Sequence, residues 1–379
     1  MAPELSERFL DDLPDSSVVL DPMMGSGSFP LAAAARGHLA MGCDSDPLAV
    51  LISQTAASEF DHEQVLSACH AIVSTAKSAK QHIAPSADAE TLAFIDFWFD
   101  PETRDKLAAL AAGISQASAA VQAPLWCAFS RLIITKDAGA SRARDVSHSR
   151  PHRVRDIASF DVLEKFPLSV RAVLRRSGLP GVSDRGENEN KSGKFVAFRA
   201  DGRKIPLVDG RVDAVMTSPP YLVAIDYLRG HRLSLVWMGY TIGYLRGLRS
   251  ANIGSQRGST ATEKVERVQE LAVSGALAER EIRLVNRYVS DMMQLIFEIS
   301  RVLRTNGLAT FVIADARLKG ANVSVEKIVT ELCGYAGLSI ADRICREIPA
   351  NRRYLPPPRQ EGGSMDLRMR EEIILQFSR

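Results

Sequence analysis

The sequence predicts an α/β fold in which a doubly wound sheet is interrupted by a mostly helical insertion. The first observation is the order strand, glycine loop, helix, strand, helix along "SSVVLDPMMGSGSFPLAAAARGH", "LAMGCD" and "DPLAVLISQTAA". This order is typical of a sheet with helices on both faces. The second observation is a change to helical periodicity between about Glu59 and Phe160. The third is the return of short apolar strands at "KFVAFRADG" and "GRVDAVM".

These observations divide the chain into three segments. Residues 1–56 form the first part of the α/β domain, residues 57–192 the helical insertion, and residues 193–379 the second part. The polar stretch "SDRGENENKSGK" is typical of an exposed linker at the end of the insertion. After it, "VNRYVSDMMQLIFEISRVL" predicts an amphipathic helix, "LATFVIAD" a buried strand and "EEIILQF" a final strand.

Composition narrows the class of protein. The chain has 379 residues, of which 46% are hydrophobic and 24% charged, as is ordinary for a globular protein. No apolar run is long enough to span a bilayer, and the first residues are too polar for a signal peptide. The five cysteines are scattered without a CxxC pair, which argues against disulfides and a zinc site. We therefore expect a cytoplasmic protein without a metal and without membrane contact.

A rigid loop follows one of the predicted strands. "GRVDAVM" is a short buried strand, and it runs into "TSPPYL". Pro219 and Pro220 fix φ and remove two backbone donors, and Ser218 before them is pushed towards an extended conformation. The result is a stiff loop with free carbonyls, a hydroxyl on one side and the ring of Tyr221 on the other. We refer to residues 218–221 as the catalytic loop, after the role that we expect for them.

A second loop has the composition of a ligand site. In "DPMMGSGS", Gly25 and Gly27 let the backbone turn sharply and approach a ligand closely. Asp44 ends the next strand, where a carboxylate can accept both hydroxyls of a ribose. A simple strand–helix turn is the alternative. Asp21 at the head of the loop repels a phosphate and attracts a cation, which favours S-adenosylmethionine over NAD.

The motifs together resemble those of the amino-methylating DNA methyltransferases. These are "VLDPMMGSGS", "GCDSDPLA", "FRADGRKIP" and "VDAVMTSPPYL". Members of that family transfer a methyl group from S-adenosylmethionine to N4 of cytosine or N6 of adenine on a Rossmann-like sheet. The resemblance implies that the methionine part of the cofactor lies among Asp21, Pro22, Gly25 and Gly27. It also implies that Asp44 binds the ribose and that Asp201 approaches the adenine amino group.

Two features depart from the family pattern. Met23-Met24 stands where an aromatic residue is common, so packing near the cofactor is expected to differ. The long insertion prevents the target-recognition region from being assigned by position.

The catalytic loop suits methylation of an exocyclic amine. Such an amine is a poor nucleophile because its lone pair is delocalised into the ring. The Pro219 carbonyl and the Ser218 side chain can accept its two hydrogens, and the nitrogen then attacks the sulfonium methyl in line. Tyr221 would stack on a base that has been flipped out of the duplex or is single-stranded. A rigid turn with a buried tyrosine is the structural alternative.

Several functions remain open at this point. Ser218 in place of aspartate favours N4 of cytosine over N6 of adenine. An RNA base methyltransferase is the nearest rival. A nucleic-acid-binding protein on an inactive methyltransferase fold and an NAD-dependent dehydrogenase are further alternatives, although a dehydrogenase has no use for the catalytic loop.

Positive charge is concentrated in one part of the insertion. Residues Arg131–Arg176, the basic segment, contain eleven Lys/Arg against five Asp/Glu. A phosphate-contacting surface is one interpretation, and a solvated loop is the other. The expected DNA contacts are Arg142, Arg144, Arg150 and Arg153, with Arg352 and Arg353 in "IPANRRYLPPP". DNA is the expected partner and a separately encoded restriction enzyme a possible one, while the oligomeric state is left open.

Overall fold

The computed structural model describes residues 3–78, 88–133, 139–144, 152–178, 193–222, 228–253, 262–347 and 371–379. These residues form two compact units. The first comprises Met1–Ser45, Arg185–Ile225 and Ser250–Arg379, and the second comprises Asp46–Asp184 and Asp226–Arg249.

The strands and helices follow the predicted alternation. In chain order the strands are β1 (Val18–Asp21), β2 (Leu39–Asp44), β3 (Ala143–Arg144), β4 (His152–Arg153), β5 (Lys194–Arg199), β6 (Val212–Thr217), β7 (Val273–Ser274), β8 (Leu303–Ile313), β9 (Ala316–Leu318), β10 (Ala321–Val323), β11 (Ser339–Glu347) and β12 (Glu371–Ser378). The helices are α1 (Pro3–Asp11), α2 (Ser28–Ala35), α3 (Pro47–Ala57), α4 (His62–Ser78), α5 (Ala89–Trp98), α6 (Pro101–Gln116), α7 (Ala119–Ile133), α8 (Val162–Leu174), α9 (Leu228–Leu235), α10 (Ile242–Ala251), α11 (Glu263–Ala272), α12 (Glu279–Val302) and α13 (Val325–Tyr335).

A seven-stranded sheet forms the centre of the first unit, with strand order β11-β12-β8-β6-β1-β2-β5. The pairs from β8 to β5 are all parallel, whereas β12 is antiparallel to both of its neighbours. The strand order reverses between β1 and β6. In doubly wound sheets, ligands bind at the carboxyl ends of the strands beside such a reversal. The predicted fold class is confirmed.

Burial explains why the strands read as apolar runs. Val19, Leu20, Ala214 and Val215 are completely buried, because helices cover the parallel sheet on its faces. The long helix α12 contributes the largest part of this core, with buried residues spaced three and four apart. The core also includes the aromatic pair Phe311 and Phe377, whose ring centroids lie 6.0 Å apart.

The second unit is mainly helical and has a core of its own. Its described helices are α3 to α10, accompanied by the two-stranded pair β3–β4. The indole of Trp237 is fully buried and makes edge contacts with Phe99, at 5.2 Å between ring centroids. The region between β2 and β5 is therefore a separate packed body and not an extended loop.

The boundaries of the helical unit differ from the predicted 57–192. It begins at Asp46, because Leu48 at the start of α3 packs into the helical core and Cys127 approaches Thr55 at 3.1 Å. The helical unit also includes residues 226–249, which follow the catalytic loop in sequence. Leu233 and Val236 from that segment are completely buried in the helical core. Sequence order alone does not reveal this return of the chain.

Among the described residues, no helix is both long enough and apolar enough to cross a membrane.

Candidate active site

The carboxyl ends of four neighbouring parallel strands carry the predicted site residues. Asp21 ends β1 and Asp44 ends β2. Asp201 follows β5 by two residues, and Ser218 follows β6 directly. Because β6, β1, β2 and β5 are consecutive in the sheet, all four residues lie along the same edge of the first unit.

The glycine loop between β1 and α2 has the backbone that its sequence predicts. Gly25 and Gly27 have φ angles of 53° and 75°, in the region that favours glycine. Gly27 is also the residue that precedes the first turn of α2. The Gly25 N–H donates to Asp44 Oδ2 at 3.0 Å, and the Met24 N–H donates to the Cys43 carbonyl at 3.0 Å. The loop is therefore fastened to the end of β2.

Met24 explains one departure from the family pattern. Its side chain is 5% exposed and lies directly against Gly42 of β2. A Cβ atom at Gly42 would stand 2.5 Å from the Met24 sulfur. The flexible thioether thus fills a space that exists only because β2 has a glycine at this point.

Asp21 is a buried carboxyl group, and one of its two oxygens accepts hydrogen bonds within the protein. It is 4% exposed. Its Oδ1 accepts hydrogen bonds from the Met23 N–H at 3.0 Å and from the Thr217 hydroxyl at 2.9 Å, while Oδ2 accepts none from the described residues. Burial raises the pKa of Asp21 to about 7, even though both hydrogen bonds favour the ionised form.

Three carboxylates converge on this edge. Burial raises the pKa of the Cys43 thiol, and the nearby charges of Asp21, Asp44 and Asp201 raise it further. All three carboxylates therefore lie near this one buried thiol. We call Asp21, Asp44 and Asp201 the carboxylate cluster. A site with this charge suits a ligand that carries a positive centre. S-adenosylmethionine fits, since it has a sulfonium, an amino group and ribose hydroxyls.

Asp201 is held in place by an arginine that the sequence analysis did not select. Arg203 donates from its backbone N–H to Asp201 Oδ1 at 2.9 Å and from its guanidinium to Oδ2 at 2.6 Å. Arg203 also pairs with Asp291 of α12 at 2.7 Å, and Asp291 in turn accepts from Arg287 at 2.9 Å. Burial alone would raise the pKa of Asp201, but Arg203 outweighs it and holds that pKa below its usual value.

The turn after Asp201 is packed against the glycine loop. A Cβ atom at Gly202 would lie 2.9 Å from the Pro22 carbonyl oxygen and 3.0 Å from a methyl group of Leu295. The absence of a side chain at residue 202 therefore permits this close approach. Pro22 itself is buried, so it shapes the site through its backbone.

The catalytic loop leaves the sheet beside Asp21. Pro219 is buried, whereas Ser218, Pro220 and Tyr221 are half-buried. Tyr288 of α12 is 1% exposed and belongs to the same core cluster as Leu222, the residue that follows this loop. Burial raises the pKa of the Tyr288 hydroxyl, and the neighbouring Tyr221 adds to the rise. The helix α12 therefore brings Tyr288 near Tyr221 of the catalytic loop and reaches Asp201 of the carboxylate cluster through Asp291 and Arg203.

In the second unit, Arg142 and Arg153 of the basic segment have contacts within the protein. The Arg142 guanidinium donates to the backbone carbonyls of Asp156 at 2.7 Å, Asp96 at 2.8 Å and Phe97 at 3.2 Å. Arg153 forms an ion pair with the Asp156 carboxylate at 2.6 Å and lies 5.6 Å from the Phe97 ring centroid. The backbone of Arg144 belongs to β3. The remaining predicted contacts, Arg150, Arg352 and Arg353, lie outside the described residues.

Solved structures of methyltransferases resemble the chain at low sequence identity. No family model matches the chain. A methyltransferase of Methanosarcina mazei, described as S-adenosylmethionine-dependent, is 9% identical, with 98% of this chain and 96% of that chain covered and a TM-score of 0.36. The rRNA methyltransferase aviRa of Streptomyces viridochromogenes is also 9% identical, with 100% and 85% covered and a TM-score of 0.31. Similarity at this level carries no argument about the substrate.

One curated protein is similar over nearly the whole chain. It is the Type II methyltransferase M.MvaI of Kocuria varians, which is 22% identical over 409 residues. The alignment covers 99% of this chain and 88% of that protein.

Three residues of the site were missed by the sequence analysis. Arg203 and Thr217 stand next to predicted site residues, but their partners are far away in sequence. Asp291 is separated from Arg203 by 88 residues, and Thr217 from Asp21 by 196 residues. A local signal was present for Thr217, since it is the polar residue at the end of an otherwise apolar strand core.

Proposed function

We propose that this chain is an S-adenosylmethionine-dependent DNA methyltransferase that modifies an exocyclic amine, most favourably N4 of cytosine. One observation carries the proposal. The catalytic loop and the carboxylate cluster occupy the same sheet edge, joined by the hydrogen bond of 2.9 Å between Thr217 and Asp21. The similarity to a Type II methyltransferase over 99% of the chain supports methyl transfer as the reaction.

S-adenosylmethionine, when bound, supplies a methyl group on a positively charged sulfur. The carboxylate cluster attracts that charge and the amino group of the methionine part. Asp44 accepts the ribose hydroxyls, and Asp201 accepts the adenine amino group. Three N–H groups of Arg203 donate to Asp201, and its Nε is shared between both oxygens, so about one of the roughly four acceptor positions of the carboxylate is left for the adenine amino group.

The catalytic loop acts on the amine of the target base. The Pro219 carbonyl and the Ser218 hydroxyl oxygen accept hydrogen bonds from the two N–H groups of this amine. These hydrogen bonds draw the nitrogen towards tetrahedral geometry. The Pro219 ring is buried, so the direction of its carbonyl is fixed before the base arrives. Tyr221 is half-buried, and its ring would stack on the base. This reaction needs no covalent intermediate between the enzyme and the base.

The target base and the polymer follow from weaker arguments. Ser218 at the first position of the catalytic loop supports N4 of cytosine, with N6 of adenine as the second candidate. The basic segment supports a polyanionic substrate, because its excess positive charge would neutralise phosphates. A base within a duplex must be flipped out to reach the catalytic loop. RNA is the competing polymer.

The test is incubation of the protein with S-adenosylmethionine carrying a deuterated methyl group and with unmethylated plasmid DNA, followed by nucleoside mass spectrometry. A parallel reaction contains total RNA, and a reaction without protein serves as the blank. The expected product is labelled N4-methylcytosine. Labelled N6-methyladenine would correct the base, and label in RNA alone would overturn the DNA assignment. No label in either polymer, from a protein that binds S-adenosylmethionine, would contradict the proposal.

A further inference from the structure

The hydrogen bond between Thr217 and Asp21 connects two loops that are far apart in sequence. Asp21 ends β1, and Thr217 ends the neighbouring strand β6. Thr217 is completely buried and Asp21 is 4% exposed. Since Thr217 is bonded covalently to Ser218, it belongs to the cofactor site through its side chain and to the catalytic loop through its backbone.

Packing alone does not explain a threonine at this position. The residues before it in β6, Ala214 to Met216, are apolar and buried, and valine would fit the strand with nearly the same shape. A buried hydroxyl needs a hydrogen-bond partner, whereas a methyl group needs none. The hydroxyl finds its partner in Asp21, and it is the one side-chain donor to Asp21 among the described residues.

The bond also selects one state and one direction of the Asp21 carboxyl group. Thr217 and the Met23 N–H both donate to Oδ1, so the rotation of the carboxyl group is fixed and Oδ2 remains for a ligand. Burial favours the neutral form, and the negative charge of Asp44 acts in the same direction. The other described titratable group that faces Asp21 is the Cys43 thiol. The two donors oppose this tendency, because hydrogen bonds to a carboxylate stabilise its ionised form.

We propose that Thr217 is a positioning residue of the cofactor site, whose hydroxyl favours the ionised form of Asp21 and aims it at the positively charged part of S-adenosylmethionine. This inference rests on the proposed function only for the identity of the cofactor, and it requires no assumption about the nucleic acid. It predicts a cofactor affinity that depends on pH near neutrality, because the pKa of Asp21 is raised to about 7. The affinity should be highest above that pH and fall below it, since protonation removes the attracting charge.

The experiment is calorimetric titration of the full chain with S-adenosylmethionine between about pH 5.5 and pH 9. The variant is Thr217→Val, which keeps the shape and loses the donor, and Thr217→Ser is the matched control that keeps the donor. Thr217→Val should move the midpoint of the affinity profile upwards by about one pH unit, the equivalent of one hydrogen bond to a charged group. At pH 7 this corresponds to roughly fivefold weaker binding, with recovery at higher pH. Thr217→Ser should keep the wild-type midpoint.

A purely structural role for Thr217 gives a different result. In that case Thr217→Val would weaken binding by the same factor at every pH, or would change nothing, and either outcome overturns the inference. Asp21→Asn identifies the titrating group, because the wild-type midpoint should vanish in that variant; persistence of the midpoint also overturns it. If Thr217→Val does not fold, the Asp21 midpoint is measured instead by carbon-13 NMR in wild type and Thr217→Ala. A wild type that does not bind S-adenosylmethionine at any pH would refute the proposed function.

Discussion

The charged groups at the sheet edge and in the basic segment differ in how far the protein itself uses their hydrogen-bonding positions. At the sheet edge, Asp21 is buried and has one oxygen that accepts no hydrogen bond from the described residues. In the basic segment, Arg142 is only partly buried, yet its guanidinium donates to three backbone carbonyls of its own unit. The first arrangement retains an acceptor for a ligand, and the second uses its donors to hold the fold.

This difference shows what charge counting can reveal. A count of eleven Lys/Arg against five Asp/Glu describes a potential phosphate surface, but it does not say which side chains remain available. A motif fixes residue types at fixed spacing around a backbone turn, and so it describes local geometry. The carboxylate cluster follows from motifs, whereas the basic segment follows from composition. We therefore expect mutations to affect binding at the sheet edge and to affect folding at Arg142.

The largest expected effect is that of Asp44→Ala on cofactor affinity. The substitution removes the proposed acceptor of the ribose hydroxyls and the observed acceptor of the Gly25 N–H. S-adenosylmethionine binding should weaken by about 1.5–3 kcal/mol, the range for hydrogen bonds to charged groups. Isothermal titration calorimetry measures the change. Asp44→Asn keeps one acceptor oxygen and should lose less, and an unchanged affinity in a folded Asp44→Ala variant would remove Asp44 from the site.

The second effect concerns methyl transfer and separates chemistry from cofactor binding. Tyr221→Ala removes the ring on which the base would stack, worth about 1–3 kcal/mol per base. Pro219→Ala frees the φ angle, so the carbonyl that accepts the amine loses its fixed direction. Both variants should bind S-adenosylmethionine normally and transfer methyl groups at least about tenfold more slowly, since about 1.4 kcal/mol corresponds to one decade in rate.

Single-turnover transfer of a tritiated methyl group to DNA is the decisive assay for the catalytic loop. Tyr221→Phe is the matched control and should retain much of the activity, because the ring is needed and the hydroxyl is not. A wild-type rate for Tyr221→Ala would show that the loop is only structural.

Much of the fold could be predicted from the hydrophobic periodicity of the sequence. The strands at Val18–Asp21, Leu39–Asp44 and Val212–Thr217 were predicted because parallel strands covered on both faces read as apolar runs. The helix α12 ends at Val302, and the turn at residues 305–307 lies within β8 as an irregularity, with Asn306 at a φ of 62°. Periodicity also could not show that residues 226–249 return to the helical unit, since membership of a core depends on tertiary packing.

The site was accessible in part for the same physical reason. Asp21 and Asp44 end their strands and Ser218 directly follows β6, and the ends of parallel strands share one edge, so strand order sufficed to bring the three residues together. The support of Asp201 by Arg203 and Asp291 depends on how α12 packs on the sheet. No spacing rule links residues 88 positions apart, and such contacts require the structure.

The third effect is on stability and tests the structural role of Arg142. Arg142→Ala leaves the Asp96, Phe97 and Asp156 carbonyls without this donor. The free energy of unfolding should fall by about 1 kcal/mol, because water can replace part of the lost bonding at a partly exposed site. Arg142→Lys keeps the charge but not the fork of donors and should also destabilise. Arg153→Gln is the control in urea unfolding, since its exposed ion pair with Asp156 contributes little.

The smallest effect is on nucleic-acid binding, and it requires variants that leave Arg142 intact. Replacing Arg144, Arg150 and Arg153 together by glutamine removes charge from the basic segment without removing the three hydrogen bonds of Arg142 to backbone carbonyls. If these arginines neutralise phosphates, the slope of log K against log salt should fall by about 0.9 for each phosphate that is no longer neutralised, while S-adenosylmethionine affinity stays unchanged. Fluorescence anisotropy with a labelled duplex at several salt concentrations measures the slope. An unaltered slope would mean that the segment is a solvated surface.

Counterion release depends on how many phosphates the protein neutralises and not on the stability of its fold. The slope therefore separates a missing phosphate partner from a weakened fold, which a single dissociation constant cannot do.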